Sequence, residues 1–139
     1  MAAELRIRQE ALEAMFEHCR KEYPNEACGY LAGREGHVAR AFPIHNDAQS
    51  PTYYEMNPAE QLRAQRAIRE EGLEHLAVYH SHVATEAFPS RRDIDRATAV
   101  QDFFEGHYVL VTLKDAGPPR ARAFRIRDGH VSEEGLVEE

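Results

Sequence analysis

The spacing of apolar residues along the chain predicts three helices. A helix is predicted over 9–21, where apolar side chains recur every three or four positions, as they do on one face of a helix. These residues are Ala11, Leu12, Met15, Phe16 and Cys19. A second helix is predicted over 57–71, because Asn57 is a good N-cap and Gly72 a good C-terminal stop. A third is expected over roughly 91–102.

Extended segments alternate with these helices. Residues 27–32 and 38–44 flank a glycine-containing turn, which predicts a β-hairpin. Further strands are predicted at 53–56, 73–82, 108–113 and 120–126, with a short one near Val131. This mixture predicts an α/β or α+β fold, a sandwich in which helices cover a curved mixed β-sheet. The acidic end of the chain, 133–139, is expected to be a frayed tail.

Length and charge narrow the class of protein. A chain of 139 residues is expected to form a single domain, spanning 1–139. The formal net charge of −7 argues against nucleic-acid and membrane partners, because both need a basic face. Cys19 and Cys28 are too few for a disulfide framework, and no apolar run suits a signal peptide or a membrane span. We therefore expect a cytoplasmic protein.

The pattern His80-Ser81-His82, followed by Ser90 and Asp93, predicts a metal site. Residues two apart on a strand project from the same face, so His80 and His82 can point at one ion. Asp93 would supply a third, anionic ligand. Two imidazoles and one carboxylate leave the fourth tetrahedral position free for water, as in catalytic zinc sites. Ser90 and Asp93 also have a structural interpretation as a helix capping box, and the two interpretations are compatible.

Glu26 is the candidate base. Taken alone, a glutamate between a helix and a strand is more often an ordinary surface residue. Zinc-dependent hydrolysis nevertheless needs a carboxylate that takes a proton from the metal-bound water and later protonates the leaving amine. The chain has no H-E-x-x-H pattern, so such a base has to come from an element outside the ligand set.

Together, these residues resemble the signature of the JAMM (MPN-plus) metallopeptidases, E…H-S-H-x7-S-x-x-D. Three further stretches extend the resemblance over nearly the whole chain, at 25–33, 54–58 and 108–111. The resemblance implies a cytidine-deaminase-like α/β/α fold and one catalytic Zn²⁺ per chain. It also implies the role of each residue: His80, His82 and Asp93 bind zinc, Glu26 handles the proton of the zinc-bound water, and Ser90 hydrogen-bonds the tetrahedral intermediate.

The same resemblance implies a substrate. Family members cleave peptide or isopeptide bonds at the C-terminus of ubiquitin or ubiquitin-like proteins, and this chain is similar to the short bacterial type. That type removes adducts from ubiquitin-like sulfur-carrier proteins with flexible C-terminal tails, for example releasing cysteine during its biosynthesis. The loop 83–89 departs from the family pattern, in which proline often follows the second histidine. The carrier, the kind of bond and the presence of a homodimer stay open.

Two other functions are compatible with the sequence. The first is a non-catalytic scaffold or binding module for ubiquitin-like proteins, which the intact set of site residues disfavours. The second is a thiol hydrolase that uses Cys28 with a histidine. Cys28 is expected to be a buried strand residue, with a position near the metal as the less favoured interpretation. Cys28 and Ser81 are therefore the two accessory candidates.

Overall fold

A computed structural model describes residues 4–115 and 117–139. Strands and helices alternate along most of the chain, and the last three strands follow one another. The elements are β1 (Glu4–Ile7), α1 (Gln9–Glu22), β2 (Cys28–Arg34), β3 (His37–Ile44), α2 (Pro58–Glu70), β4 (Glu74–His82), α3 (Arg91–Ala99), β5 (His107–Thr112), β6 (Arg120–Arg127) and β7 (His130–Glu138).

The strands form one closed, mixed β-sheet in the order β1-β3-β2-β4-β5-β6-β7. β1 closes the sheet because it pairs in parallel with both β3 and β7. β4 lies between β2, to which it is antiparallel, and β5, to which it is parallel. The strand that carries His80 and His82 is therefore fixed by hydrogen bonds on both sides.

The helices cover three apolar clusters on this sheet. α1 packs Met15 and Cys19 against β1 and the middle strands, and both side chains are fully buried. α2 covers the second cluster with Ala64 and Ile68. The third cluster includes Ala97 of α3. The mixed α/β fold class is thus confirmed, while the cytidine-deaminase-like label and the single domain stay predictions.

Two of the predicted elements are wrong. Residues 53–56 do not form a strand; within the described part of the chain they contribute only an isolated bridge between Asn46 and Met56. The segment 133–139 is not a frayed tail, because most of it belongs to β7, which pairs with β6 and β1. Its acidic side chains find basic partners there: Glu133 binds Arg122 at 2.6 Å, and buried Glu134 contacts His107 at 2.5 Å.

α3 is shorter than the sequence predicts and ends at Ala99. The amide of Val100 donates to the carbonyls of Ala97 and Thr98, and tight turns follow it. Among the described residues, no helix is both long enough and apolar enough to cross a membrane.

Candidate active site

The end of β4 places the two histidines side by side. His80 and His82 are both buried and project from the same face of the strand, as their spacing predicts. Their Nε2 atoms lie 3.2 Å apart. Since β4 is flanked by β2 and β5, the backbone that carries both imidazoles is held by a paired strand on either side.

Asp93 reaches the histidines from the first turn of α3. Its Oδ2 atom lies 3.1 Å from Nε2 of His80 and 3.0 Å from Nε2 of His82. The same oxygen accepts a hydrogen bond from the amide of Ser90 at 2.9 Å, and the hydroxyl of Ser90 accepts one from the amide of Asp93 at 3.1 Å. This is a complete capping box, so the residues that begin α3 also orient the carboxylate.

A hydrogen bond at Nδ1 of His82 leaves its Nε2 atom available as a ligand. Nδ1 of His82 lies 2.8 Å from the carbonyl oxygen of Glu86. A carbonyl can only accept, so the proton of a neutral His82 is on Nδ1 and the lone pair is on Nε2. Nδ1 of His80 is buried without a hydrogen-bond partner among the described residues. The ring of Tyr54 packs over this imidazole, with 4.8 Å between the ring centroids.

Burial and mutual contact shift the pKa values of all three groups. Burial lowers the pKa of His80. For His82, burial also lowers the pKa, but the hydrogen bonds with Asp93 and the Glu86 carbonyl outweigh it and raise the value overall. Burial alone would raise the pKa of Asp93; the contacts with both histidines instead hold it well below the usual range. Asp93 is therefore an anion throughout the physiological pH range.

The arrangement fits a single metal ion. The three ligand atoms converge within 4.8 Å of one another. Their pairwise distances of 3.0 to 3.2 Å match the separation of roughly 3.3 Å expected for atoms bound tetrahedrally to zinc at about 2.0–2.1 Å. Two imidazole nitrogens and one carboxylate oxygen are also the donor set of catalytic zinc sites. These residues can therefore hold a metal.

Glu26 lies beside this cluster, just before β2. Cys28 pairs with His80 across the antiparallel ladder, which places Glu26 next to the end of β4. The residue is 4% exposed, and its Oε1 atom is buried without a hydrogen-bond partner among the described residues. Burial raises its pKa from 4.5 to about 7, partly offset by nearby His82. Glu26, the candidate base, is thus a buried carboxyl group that can hold or release a proton near neutral pH in the metal-free protein.

Two connections hold the backbone around Glu26. The amide of Glu26 donates to the carbonyl of Ser50 at 2.9 Å, and its carbonyl accepts from the side chain of Asn46 at 3.0 Å. On the other side, the hydroxyl of Ser81 accepts from the amide of Ala27 at 2.8 Å. Ser81 is fully buried and faces away from solvent, so this accessory candidate is a positioning residue that ties β4 to the segment carrying Glu26.

The structure does not bring Cys28 into the ligand cluster. Its thiol donates to the carbonyl of Ile44 at 3.4 Å, and the three converging ligand atoms belong to other residues. Burial raises the pKa of the Cys28 thiol to about 12. A thiol in this state is a weak nucleophile and a poor metal ligand. The thiol-hydrolase interpretation therefore has no support from this geometry.

Two arginines of α3, Arg92 and Arg96, also lie beside the site, although sequence reasoning assigns neither of them a role. The guanidinium of Arg96 lies 4.1 Å from the ring centroid of Tyr54, and that of Arg92 lies 4.7 Å from the ring of Tyr53. Both cations lower the pKa of Glu26, against the larger effect of burial. The spacing of these residues could have indicated their position, because residues 92 and 96 share one face of a helix with the predicted ligand at position 93.

A mixed sheet that presents two imidazoles and a carboxylate beside a buried glutamate is the arrangement of a metal-dependent hydrolase. Residues 8–127 match the family described as prokaryotic homologs of the JAB domain. The chain therefore belongs to this family.

Individual relatives agree with the family. A CysO-cysteine peptidase of Mycobacterium tuberculosis is 43% identical over 130 residues, which cover 92% of this chain and 86% of the relative. A desampylase of Haloferax volcanii is 32% identical over 121 residues, covering 82% and 84%. The solution structure of a Desulfitobacterium hafniense protein matches with a TM-score of 0.85 and 35% identity, covering 97% of this chain and 92% of that one. The expectation of a JAMM-type hydrolase is thus confirmed.

Proposed function

We propose that this protein is a zinc-dependent peptidase that hydrolyses the bond after the C-terminus of a ubiquitin-like sulfur-carrier protein. The observation that carries the proposal is the convergence of His80, His82 and Asp93 beside the buried carboxyl group of Glu26. The substrate class is supported by the relatives, one named for a CysO-cysteine bond and one named as a desampylase.

In this proposal His80, His82 and Asp93 hold the zinc ion. When bound, zinc would supply Lewis acidity, which lowers the pKa of water and polarises a carbonyl group. The Nε2 lone pair of His82 is directed to this position because its Nδ1 proton is engaged by the Glu86 carbonyl. Asp93 contributes the negative charge, and the capping box fixes its orientation.

Glu26 is the proposed general base and acid. Its unpartnered Oε1 atom is available to take a proton from the attacking water and to return it to the leaving amine. Burial raises the pKa of this carboxyl group, which favours its acceptance of a proton, and a carboxyl group placed beside the reacting water can also return that proton. Tight backbone contacts on both sides of Glu26 keep this group in place.

Ser90 is proposed to donate a hydrogen bond to the oxygen that becomes negatively charged as the scissile carbonyl is attacked. Its hydroxyl oxygen already accepts from the amide of Asp93, which leaves the hydroxyl proton free to donate. The side chain is exposed at the start of α3, next to the ligand cluster. A donor held in advance at this position stabilises developing charge without reorganisation.

The test is a mass measurement on a ubiquitin-like carrier that bears a C-terminal amino-acid adduct. Zinc-loaded protein should remove the adduct, and a chelator should stop the reaction until zinc is restored. Glu26→Gln should lower kcat by roughly 10²–10⁴-fold while it retains bound zinc. Glu70→Gln is the matched control, because Glu70 is exposed on α2 away from the site. Zinc binding without any change in carrier mass would support the scaffold function instead.

A further inference from the structure

Two arginines on α3 lie beside the ligand cluster, one helical turn apart. Arg92 stacks over Tyr53 at 4.7 Å, and Arg96 stacks over Tyr54 at 4.1 Å. The ring of Tyr54 in turn packs 4.8 Å from the ring of His80. The Arg96 guanidinium is therefore separated from a proposed metal ligand by a single aromatic ring.

Neither cation forms an ion pair within the described part of the chain. No carboxylate of residues 4–115 or 117–139 lies within 4.0 Å of Arg92 or Arg96. On the same helix, Arg91 is paired with Asp95 at 3.3 Å. An aromatic ring, and not a carboxylate, is thus the nearest stacking partner of each of these two guanidinium groups. A guanidinium group carries five N–H donors, so a cation held against an aromatic ring can still bind a planar anion such as a carboxylate.

Arg96 is accessible to a ligand. It lines, together with Tyr54, a cavity of about 470 Å³ between α2 and α3. Val78 of β4 and Tyr108 of β5 also line it, so the cavity runs along the sheet beside the strand that carries the histidines. Because Tyr54 lines the cavity and its ring also packs against His80, the cavity adjoins the ligand cluster.

The proposed reaction offers one suitable anion. When the adduct is a single amino acid on the carrier's C-terminus, its free α-carboxylate lies one carbon from the scissile nitrogen. In a conjugate to a lysine side chain, that position carries a hydrocarbon chain and no charge. We propose that Arg96, with Arg92 beside it, binds the free α-carboxylate of the leaving amino acid and so selects terminal amino-acid adducts over lysine conjugates. This inference rests on the proposed function.

The test compares two carrier adducts that differ only at the terminal carboxyl group, one as the free acid and one as the primary amide. Zinc-loaded wild-type protein should cleave the acid with a kcat/KM at least roughly tenfold higher, the size expected for one charge-assisted hydrogen bond. Arg96→Gln should lose most of this preference, because its kcat/KM on the acid should fall much further than its kcat/KM on the amide. Arg96→Lys should show an intermediate preference, since it keeps the charge without the planar fork. Arg91→Gln, with the same charge change on the same helix, should keep the full preference.

Amide cleavage also reports whether the Arg96→Gln protein is folded. As a second readout, free amino acid should inhibit the wild-type protein more strongly than its amide does, and Arg96→Gln should remove that difference. Equal cleavage of acid and amide by the wild-type protein would overturn the inference and leave the proposed function standing. An equal loss of kcat/KM on both substrates, in both Arg96→Gln and Arg96→Lys, would also overturn the inference. Arg96 would then contact the carrier tail or support the ring of Tyr54. If the wild-type protein cleaves neither adduct, the proposed function fails and this inference falls with it.

Discussion

Replacing Glu26 by glutamine should stabilise the metal-free protein at neutral pH while it destroys activity. The folded protein keeps the Glu26 side chain 4% exposed, with Oε1 unpartnered. Removing water from a carboxylate disfavours its charged form, so ionised Glu26 opposes folding. Glutamine has nearly the same shape and no charge, so it removes this penalty.

The direction of the pH dependence follows from the two pKa values. Burial raises the pKa of Glu26 from 4.5 to about 7 in the folded protein. Between these values the folded state binds more protons than the unfolded state, so the free energy of unfolding falls as pH rises. The contribution of protonated Glu26 to the free energy of unfolding is fully present below pH 4.5 and is lost once the pH exceeds about 7. Each unit of pKa difference between the folded and unfolded states corresponds to about 1.4 kcal/mol, so the loss of stability is roughly 3 kcal/mol.

The assay is urea unfolding of wild-type and Glu26→Gln protein, in the presence of a chelator, at pH values from below 4.5 to above 7. Most other groups that titrate over this range do so equally in both proteins and cancel in the difference; the exception is His82, whose pKa ionised Glu26 raises. The variant's advantage should therefore grow by roughly 3 kcal/mol from the acid end to the neutral end. A difference that stays constant with pH would show that Glu26 is solvated and would refute the reasoning. Glu70→Gln, at an exposed position, should give a constant difference.

Ser90→Ala should reduce stability by about 1 kcal/mol, because it removes the hydroxyl that caps α3. The same variant should bind zinc roughly tenfold or more weakly, because Asp93 is held less firmly. Urea unfolding measures the change in stability, and a zinc titration measures the change in affinity. Ser90→Thr should restore both stability and zinc affinity. Unchanged zinc affinity in Ser90→Ala would contradict the orienting role of Ser90. Alkylating reagents should leave peptidase activity intact, because Cys28 is buried and its pKa is raised to about 12. Cys28→Ser should also be active, and an inactive variant that still binds zinc would favour the thiol mechanism.

The parts of the fold predicted well from the sequence are those whose chemistry is local. α2 begins where Asn57 can accept from the amide of Glu60 at 2.9 Å, and α3 begins at the capping box of Ser90 and Asp93. These interactions join residues three apart, so their spacing is visible in the sequence. The histidine pair on β4 is local in the same sense, since alternation along a strand determines that both side chains share a face.

The errors concern segments whose partners are distant in the chain. The acidic end looked like a frayed tail because its stabilising contacts come from elsewhere. Glu133 pairs with Arg122, and Glu134 is buried against His107. The segment 53–56 looked like a strand because it is rich in aromatic residues, yet its tyrosines stack on the arginines of α3 instead. The composition of such a segment indicates only its secondary-structure preference. Which residues lie opposite it depends on how the folded sheet is paired.

The candidate site combines metal ligands that follow from local structure with a base, Glu26, whose burial does not. Only the family resemblance of residues 25–33 distinguishes it from a surface glutamate. The backbone around it is held by Asn46, Ser50 and Ser81, all distant in sequence. The metal ligands, by contrast, are tied to local rules: the strand period aligns the histidines, and the same Asp93 oxygen that completes the helix cap faces both imidazoles. A ligand set built from local structure can be predicted from spacing. The base and the two stacked arginines depend on long-range packing, and their positions follow only from the folded chain.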